Sequence, residues 1–291
     1  MDVTLFNTGT MLPIDTNTRL CAVIGNPVAH SFSPRMHNAA YRAAALNYVY
    51  LAFHVEDVAG FLAGVRAMSS FRGVSVTIPH KREVMSHLDE IEDLARHVGS
   101  VNTITNEKGR LVGSTTDGPG ALRALTEAGV NTAGKRVLLL GAGGAVRAVS
   151  FAIAETTRAS HITILGRTLA KVDELVRDLR QADIDHVSGA TLDAGLADAM
   201  ASHDIVIHGT SVGMEPDENS ACVPKEMFRA DQIVFDMVYR PHETRLLREA
   251  RDAGCQIVHG IEMLINQAAL QFERWTETPC PIAAMRESVS Q

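Results

Sequence analysis

The 291-residue sequence has few cysteines and no arrangement of residues typical of a metal site. Cys21, Cys222, Cys255 and Cys280 are scattered and form no C-x-x-C motif, which is typical of the reduced thiols of a cytoplasmic protein. The twelve histidines include no H-E-x-x-H or similar ligand spacing. We therefore expect reduced thiols, a cytoplasmic location and no metal.

Long apolar segments and an excess of positive charge are also missing, and we expect no leader sequence. No apolar run approaches the roughly 18 residues that span a bilayer, and residues 1–10 lack the basic and apolar regions of a signal peptide. The net charge of −7 argues against nucleic acid or an anionic membrane as the main partner. A locally basic pocket for an anionic small molecule stays compatible with this charge.

The length of the chain favours two domains, because 291 residues exceed the usual size of one. Apolar residues make up 46% of the chain and charged residues 21%, as in proteins with a substantial core. No repeat, low-complexity segment or long linker is present. We therefore expect the first domain to end at a compact hinge near Asp117.

A glycine-rich turn after an apolar run organises the second half of the chain. Residues 136–148 read RVLLLGAGGAVRA, and the apolar residues predict a strand covered on both faces. Gly141 and Gly143 allow a sharp turn at the start of a helix, where backbone N–H groups can hold a pyrophosphate. Val146 replaces the third glycine of G-x-G-x-x-G. The alternative interpretation is therefore a strand–helix turn that needs glycine only for packing and binds no dinucleotide.

The residues after the next predicted strand, 161–165, indicate which dinucleotide binds. An NAD-selective fold carries Asp or Glu here to bind the ribose 2′-hydroxyl. This chain has Gly166, Arg167 and Thr168 instead, with Lys171 one turn later. A guanidinium can hold a 2′-phosphate by two hydrogen bonds, so the pattern favours NADP. The alternative is an ordinary helix start, with Thr168 as the cap and Arg167 solvated.

Strands and helices alternate along the chain, which predicts a mostly parallel, doubly wound sheet. The small residues of the loop 209–214 follow a predicted strand and suit contact with a nicotinamide ring. Gly260 is expected to start a long helix that ends near Trp275.

Polar residues in the first half have both structural and functional interpretations. Ser33 precedes Pro34 and is a suitable N-cap, whereas Ser31 is not explained by that cap, so the two hydroxyls could together hold a carboxylate. Lys81 is expected in a first helical turn, where its charge is unfavourable, and it is either functional or solvated. Asp117 is either the N-cap of the helix that follows or a functional carboxylate.

Eight short motifs occur in one order and resemble the shikimate and quinate dehydrogenase family over about residues 23–275. They are GNP with HSFSP at 25–34, VTIPHK at 76–81, GSVNT at 99–103, TDG at 116–118, GAGGA at 141–145, TSVGM at 210–214, DMVYRP at 236–241 and GIEMLINQ at 260–267.

The resemblance implies a set of substrate-binding and catalytic residues. In this family the serines that match Ser31 and Ser33 bind the substrate carboxylate, and Lys81 and Asp117 match the catalytic pair at the reacting hydroxyl. The other positions expected in the substrate pocket are Ser75, Thr77, Asn102, Tyr239 and Gln267.

The resemblance also implies the fold class, α/β with two domains, and NADP as the cofactor. An N-terminal α/β substrate domain is expected over 1–117 and 261–291, with a Rossmann-like NADP domain of doubly wound parallel sheet over 118–260. Homodimers are common in the family, so the resemblance also suggests a second copy of this chain as a partner. The expected cofactor-binding residues are Gly141, Ala142, Gly143, Gly144, Ala145, Arg167, Thr168, Lys171, Thr210, Ser211, Gly213, Met214, Val238, Gly260 and Met263.

The residue types agree with alcohol oxidation. The nicotinamide takes a hydride, so a base must accept the proton and a positive group must stabilise the developing alkoxide. Lys81 can do both, and Asp117 can orient the hydroxyl.

Some positions depart from the pattern that is common in the family. Ser75 and Gly166 stand where asparagine is frequent, Thr115 replaces another frequent asparagine, and His208-Gly209 replaces Asn-Ala. Ser75 bears on substrate choice, because quinate differs from shikimate in ring saturation and one hydroxyl.

The resemblance therefore predicts a shikimate dehydrogenase activity, the reversible NADPH-dependent reduction of 3-dehydroshikimate in aromatic amino acid biosynthesis. One alternative is a paralogue that prefers quinate or uses NAD. Another, from a different class, is a catalytically weak regulator that binds NADP.

Overall fold

The computed structural model describes residues 14–290, and residues 1–10, where we expect no signal peptide, lie outside this range. The described residues form two compact units. The first comprises 14–92, 101–114 and 268–290, and the second comprises Asp93–Ser100 and Thr115–Gln267.

Strands and helices alternate through most of the described chain. In chain order the strands are β1 (Arg19–Gly25), β2 (Tyr48–His54), β3 (Phe71–Val76), β4 (Glu90–Ile91), β5 (Thr103–Glu107), β6 (Arg110–Ser114), β7 (Arg136–Leu140), β8 (His161–Gly166), β9 (Val187–Thr191), β10 (Ile205–His208), β11 (Ile233–Asp236) and β12 (Gln256–Val258). The helices are α1 (Ser33–Ala43), α2 (Val58–Ala67), α3 (Asp93–Val98), α4 (Asp117–Glu127), α5 (Gly144–Thr156), α6 (Leu169–Gln181), α7 (Leu192–Ser202), α8 (Arg245–Asp252), α9 (Gly260–Thr276) and α10 (Ile282–Val289), and short 3-10 helices span Glu83–His87 and Lys225–Met227.

Each unit contains one six-stranded sheet. The sheet of the first unit has the order β2-β1-β3-β5-β6-β4, in which β5 runs antiparallel to both β3 and β6. The sheet of the second unit has the order β12-β11-β10-β7-β8-β9 and is parallel throughout. The chain winds outward in both directions from β7, which confirms the predicted doubly wound, Rossmann-like fold.

The strand β7 is covered on both faces, as its unbroken apolar run predicts. Val137 and Leu139 pack into the cluster formed with α4, α5 and α6. Leu138 and Leu140 pack into the opposite cluster, with α7 and α8. The alternation of side chains along a strand thus places β7 at the centre of two apolar layers.

The predicted caps of two helices are wrong. The helix α1 begins at Ser33 itself, with Phe32 in the capping position and Pro34 in the first turn. The Ser31 hydroxyl oxygen instead accepts a hydrogen bond from the Ser33 N–H, at 3.2 Å, at the start of this helix. Asp117 is likewise the first residue of α4 rather than its cap.

The predicted helix at His80 is also wrong, because residues 78–82 form a turn before the first 3-10 helix. The carbonyl of Lys81 accepts the Val101 N–H at 2.9 Å, so it is not the acceptor of a helical Met85 N–H. The residues GSVNT at 99–103 lie mostly before a strand, since α3 ends at Val98 and β5 spans Thr103–Glu107.

The segment 93–100 groups with the second unit, whereas the sequence suggested the substrate domain. The reason is its contact with α5. The Arg147 side chain donates to the carbonyls of Val98 and His97, at 2.5 and 2.9 Å.

Gly73 of β3 lies against the fully buried indole of Trp275, whose Nε1 donates to the carbonyl of Ile104 at 3.1 Å. A Cβ atom at position 73 would overlap that indole. We expect Gly73→Ala to lower the free energy of unfolding by about 3 kcal/mol, as overpacking of a rigid core does. Gly64→Ala in α2, where an added Cβ meets only a methyl group at 4.0 Å, is the control and should cost nothing. Denaturant titration measures both, and equal stability of the two variants would contradict this packing.

Candidate functional site

The predicted substrate residues of the first unit lie at one end of its sheet. The Thr77 N–H donates to the carbonyl of Ile24 at 3.0 Å, at the carboxyl end of β1. The Val76 N–H donates to the carbonyl of Asn102 at 2.8 Å. Because β5 is antiparallel to β3, Asn102, just before β5, reaches the same end as Thr77. Lys81 is held there by the bond between its carbonyl and Val101, and its side chain is half-buried.

Ser31, in the loop after β1, and Ser33, the first residue of α1, lie close together. The Ser31 N–H donates to the carbonyl of Val28 at 3.1 Å, and the Ser31 hydroxyl accepts from the Ser33 N–H. Ser33 is buried, and its hydroxyl interacts with the phenol of Tyr50. Burial raises the pKa of Tyr50, and hydrogen bonds with Ser75 and Ser33 oppose that rise.

Ser75 is part of a buried hydrogen-bond chain. The Tyr50 hydroxyl donates to Ser75 Oγ at 2.6 Å, and Ser75 Oγ donates to Gln271 Oε1 at 2.7 Å. A hydroxyl has one proton to donate. The proton of Ser75 is therefore held by Gln271, so Ser75 can donate to a substrate only by giving up that bond, although its oxygen can still accept one more hydrogen bond.

Gln271 continues this chain to Asn102. Its Nε2 donates to Thr103 Oγ1 at 2.9 Å and to the Asn102 carbonyl at 3.2 Å. Thr103 Oγ1 in turn donates to Asn102 Oδ1 at 2.7 Å, which fixes the orientation of the Asn102 amide. Sequence reasoning missed Tyr50 and Gln271. The only available signal was that Gln271 follows Gln267 by four positions, on the same face of α9.

Three predicted substrate or catalytic residues, Asp117, Tyr239 and Gln267, lie in the second unit. Asp117 is half-buried at the start of α4, and Tyr239 is 40% exposed after β11. The Gln267 side chain is buried and its Nε2 donates to the carbonyl of Leu264 at 2.9 Å. The start of α9 joins α4 through the Asn266 amide, which donates to Glu127 Oε2 at 3.2 Å. The pairing of Lys81 with Asp117 stays a prediction.

A cavity of about 620 Å³ lies in the second unit, at the carboxyl ends of β7, β8 and β10. This is the edge where the sheet order reverses direction, and where ligands of such folds bind. The predicted cofactor residues that line it are Gly141, Ala142, Gly143, Arg167, Thr168, Lys171, Thr210 and Ser211. Gly144 and Ala145 follow in the first turn of α5.

Other residues of this cavity were not predicted, and some predicted ones lie outside its lining. Thr191, Leu192, Asp193 and Cys222 line it and were missed. The first three lie where β9 ends at this sheet edge, which is the signal that could have found them. The predicted residues outside the lining are Gly144, Ala145, Gly213, Met214, Val238, Gly260 and Met263.

The glycine turn leaves the start of α5 accessible to a ligand. Gly141 has a φ of +118°, which a residue with a side chain rarely adopts. Added Cβ atoms at Gly143 and Gly144 would meet nothing within 4 Å, so open space faces these backbone groups. The first N–H groups of a helix have no partner within it and favour anions. This turn therefore fits the pyrophosphate of a dinucleotide.

The charges around the cavity fit a second phosphate. Arg167 and Lys171 line it from the segment after β8, and both side chains are exposed. The carboxylate of Asp193 lines it from α7. In residues 14–290, no group of three or more His, Cys, Asp or Glu side chains is placed to hold a metal ion. Organic phosphate is thus the ligand chemistry that these residues suit.

His208 and Asp236 form an ion pair at the same sheet edge. His208 Nδ1 lies 2.8 Å from Asp236 Oδ1, and neither side chain is exposed to solvent. Burial lowers the pKa of His208, but hydrogen bonds with Asp236 and Cys222 outweigh this and raise that pKa to about 10. The imidazole is therefore charged at neutral pH.

This raised pKa predicts a stability that depends on pH. The folded-state pKa of His208 exceeds the ordinary value of about 6.5, so its stabilisation is complete below about pH 6.5. It is lost as the pH rises through the folded-state pKa, and the change is on the order of 4 kcal/mol. Denaturant titration from pH 6.5 to 10 should show this decline in the wild type and a smaller one in His208→Asn. Parallel curves for the two proteins would contradict it.

Membrane-spanning segments are absent from the helices of residues 14–290, none of which is long and apolar enough to cross a bilayer. The four cysteines, all within that range, form no disulfide.

Three family models match the chain. "Shikimate dehydrogenase substrate binding domain" matches residues 23–104, "Shikimate / quinate 5-dehydrogenase" matches 123–236, and "Shikimate 5'-dehydrogenase C-terminal domain" matches 260–289. The matched segments include six of the eight motifs in full, whereas TDG at 116–118 lies outside them and only Asp236 of the motif at 236–241 is matched.

Individual proteins are similar over nearly the whole chain. The shikimate dehydrogenase (NADP(+)) of Moorella thermoacetica is 44% identical over 278 residues, which cover 94% of each chain. The crystal structure of shikimate 5-dehydrogenase from Listeria monocytogenes, in complex with shikimate and NAD, has a TM-score of 0.90 at 36% identity and covers 94% of this chain and 97% of that one. The enzyme from Thermus thermophilus, in complex with NADP(H) and shikimate, has a TM-score of 0.83 at 36% identity, with 93% and 98% covered.

Proposed function

The chain belongs to the shikimate and quinate dehydrogenase family, and we propose from this that it catalyses the reversible NADPH-dependent reduction of 3-dehydroshikimate to shikimate. The observation that carries the proposal is the cavity at the end of β7, β8 and β10, with Arg167 and Lys171 in its lining. These residues suit NADP, and the relatives named above act on or bind shikimate.

The cofactor is held by residues of the second unit. The backbone N–H groups at the start of α5 bind the pyrophosphate, and Arg167 and Lys171 bind the 2′-phosphate by charge and hydrogen bonds. When bound, NADPH supplies the hydride. The remaining chemistry, which is the movement of a proton and the orientation of the ring, belongs to protein side chains.

The substrate is held mainly by polar groups of the first unit. Ser31 and Ser33 bind the carboxylate, and Thr77 and Asn102 bind ring hydroxyls. Asn102 enters this role with its amide already oriented by Thr103. Tyr239 and Gln267 complete the set from the second unit.

Lys81 moves the proton. In the reduction its ammonium group donates to the ring ketone oxygen, which becomes the hydroxyl as the carbon accepts the hydride. In the oxidation the neutral amine takes that proton back. The carboxylate of Asp117 orients that hydroxyl for the transfer. The proton and the hydride together account for the two-electron change.

Three further expectations concern the cellular location, the oligomeric state and a second substrate. The reduced cysteines support a cytoplasmic location, and a homodimer is tested by light scattering of the purified protein. Quinate is the second substrate to test, since the family model that matches residues 123–236 covers both shikimate and quinate dehydrogenases.

The test of this function is a set of four assays that follow the absorbance of the reduced cofactor. Shikimate and quinate are each combined with NADP and with NAD. We expect fast turnover with shikimate and NADP alone. Faster turnover with quinate or NAD would replace the proposal by the related quinate activity. Cofactor binding without turnover in any assay would support a regulator instead.

A further inference from the structure

The His208–Asp236 pair connects the ends of two neighbouring strands. His208 is the last residue of β10 and Asp236 the last of β11, and the two are register partners in the parallel sheet. Both side chains are fully buried, with Nδ1 and Oδ1 2.8 Å apart. An ion pair in such a place needs further hydrogen bonds to be tolerated.

The other nitrogen of His208 reaches the loop that lines the cofactor cavity. His208 Nε2 lies 2.5 Å from Thr210 Oγ1, and Thr210 Oγ1 also accepts the Val212 N–H at 3.2 Å. Both Thr210 and Val212 line the cavity. A charged imidazole donates from both nitrogens, so Thr210 Oγ1 is then an acceptor and keeps its own proton for another partner. A neutral imidazole paired with Asp236 would instead take that proton.

Asp236 also forms hydrogen bonds with the segment that follows β11. Its Oδ1 accepts the Val238 N–H at 2.9 Å, and its Oδ2 accepts from the Thr244 hydroxyl at 2.5 Å. Thr244 in turn caps α8 by accepting the Leu247 N–H at 3.3 Å. The carboxylate is therefore satisfied on both oxygens, and it fixes the backbone at Val238.

Two titratable groups interact with the His208 imidazole. Asp236 faces it from β11, and the Cys222 thiol faces it from the segment after the loop 209–213. Both favour the charged ring. Cys222 also lines the cavity, so the imidazole lies directly behind the cavity wall.

We propose that His208, paired with Asp236, is a positioning residue for the cofactor, which holds the loop 209–213 in its binding shape and presents the Thr210 hydroxyl as a hydrogen-bond donor to the bound dinucleotide. This inference rests on the proposed function for the identity of that ligand.

The experiment measures NADP⁺ binding directly by isothermal titration calorimetry, and independently of turnover. The variant is His208→Asn, and the matched control is His203→Asn, because His203 is also buried and hydrogen-bonded but lies just before the opposite end of β10. We expect His208→Asn to weaken NADP⁺ binding about tenfold, the effect of one lost hydrogen bond. His203→Asn should change the Kd by less than about twofold.

A second variant tests whether the effect passes through Thr210. Thr210→Val should weaken binding by a similar factor, and adding His208→Asn to it should weaken binding little further, because both changes remove one interaction. Effects that multiply would overturn the proposal. Wild-type affinity in His208→Asn, or equal weakening by His203→Asn, would also overturn it.

The wild-type protein provides a test that does not depend on the folding of a variant. Its Kd for NADP⁺ should be constant from about pH 7 to 8.5 and rise toward pH 10, as His208 loses its proton. A constant Kd over this whole range would overturn the proposal. Binding of NADP⁺ with the expected pH dependence but no oxidation of shikimate would overturn the proposed function alone, and absence of NADP⁺ binding would overturn both.

Discussion

Lys81→Ala is expected to lower kcat for shikimate oxidation by about 10³-fold, with a much smaller change in the KM for shikimate. The reason is that proton transfer by a positioned side chain contributes roughly 10²–10⁴ to a rate, and a positive group also stabilises the developing alkoxide. Binding of the ring rests on other groups, such as Ser31, Ser33 and Asn102. Steady-state rates at saturating NADP separate kcat from KM.

The matched control for this loss is Arg82→Ala, which removes the neighbouring cation. Arg82 is exposed, whereas Lys81 is half-buried and has its backbone bonded to Val101, beside Asn102. We expect Arg82→Ala to retain the kcat of the wild type within about twofold, as surface changes usually do. An unchanged kcat in Lys81→Ala would remove Lys81 from the mechanism.

Arg167→Ala is expected to lower the preference for NADP over NAD by about 100-fold, expressed as the ratio of kcat/KM values. A guanidinium that makes charged hydrogen bonds with a phosphate contributes about 1.5–3 kcal/mol to the binding free energy. NAD has no 2′-phosphate, so its binding does not depend on this contact. The effect should appear in the KM for NADP, with kcat at saturation nearly unchanged.

Arg177→Ala is the control for Arg167, because Arg177 is also an exposed arginine of the same region but lies outside the cofactor cavity. It separates a specific phosphate contact from the general loss of one positive charge near the site. If both variants lowered the preference equally, the field of the helix surface and not a contact of Arg167 would select the cofactor.

The fold was largely predictable because its signals are local. The run 137–140 is apolar at each residue, and a strand buried on both faces needs such a run. The alternation of strands and helices then leads to one doubly wound order. The local errors have local causes as well. Lys81 was placed in a helix because the sequence cannot show that its carbonyl is taken by Val101.

The chemistry of the site was predictable only where residues adjoin in sequence. The turn at 141–145 and the residues Arg167 and Lys171 each follow a strand, so their place at the sheet edge could be deduced. The partner of His208 could not, because Asp236 lies 28 residues away and meets it only through strand pairing. Gln271 and Ser75, which are 196 residues apart, are a more extreme case.

The bond between Ser75 and Gln271 has a consequence for any attempt to alter substrate choice. Ser75 accepts a hydrogen bond from Tyr50 and donates one to Gln271. A substitution at any one of these three positions therefore affects the hydrogen bonds of the other two. An asparagine introduced at position 75 alone would add volume to a packed region and leave the phenol and the amide to find new partners. Laboratory libraries that alter substrate choice at position 75 should therefore vary positions 50 and 271 together with it.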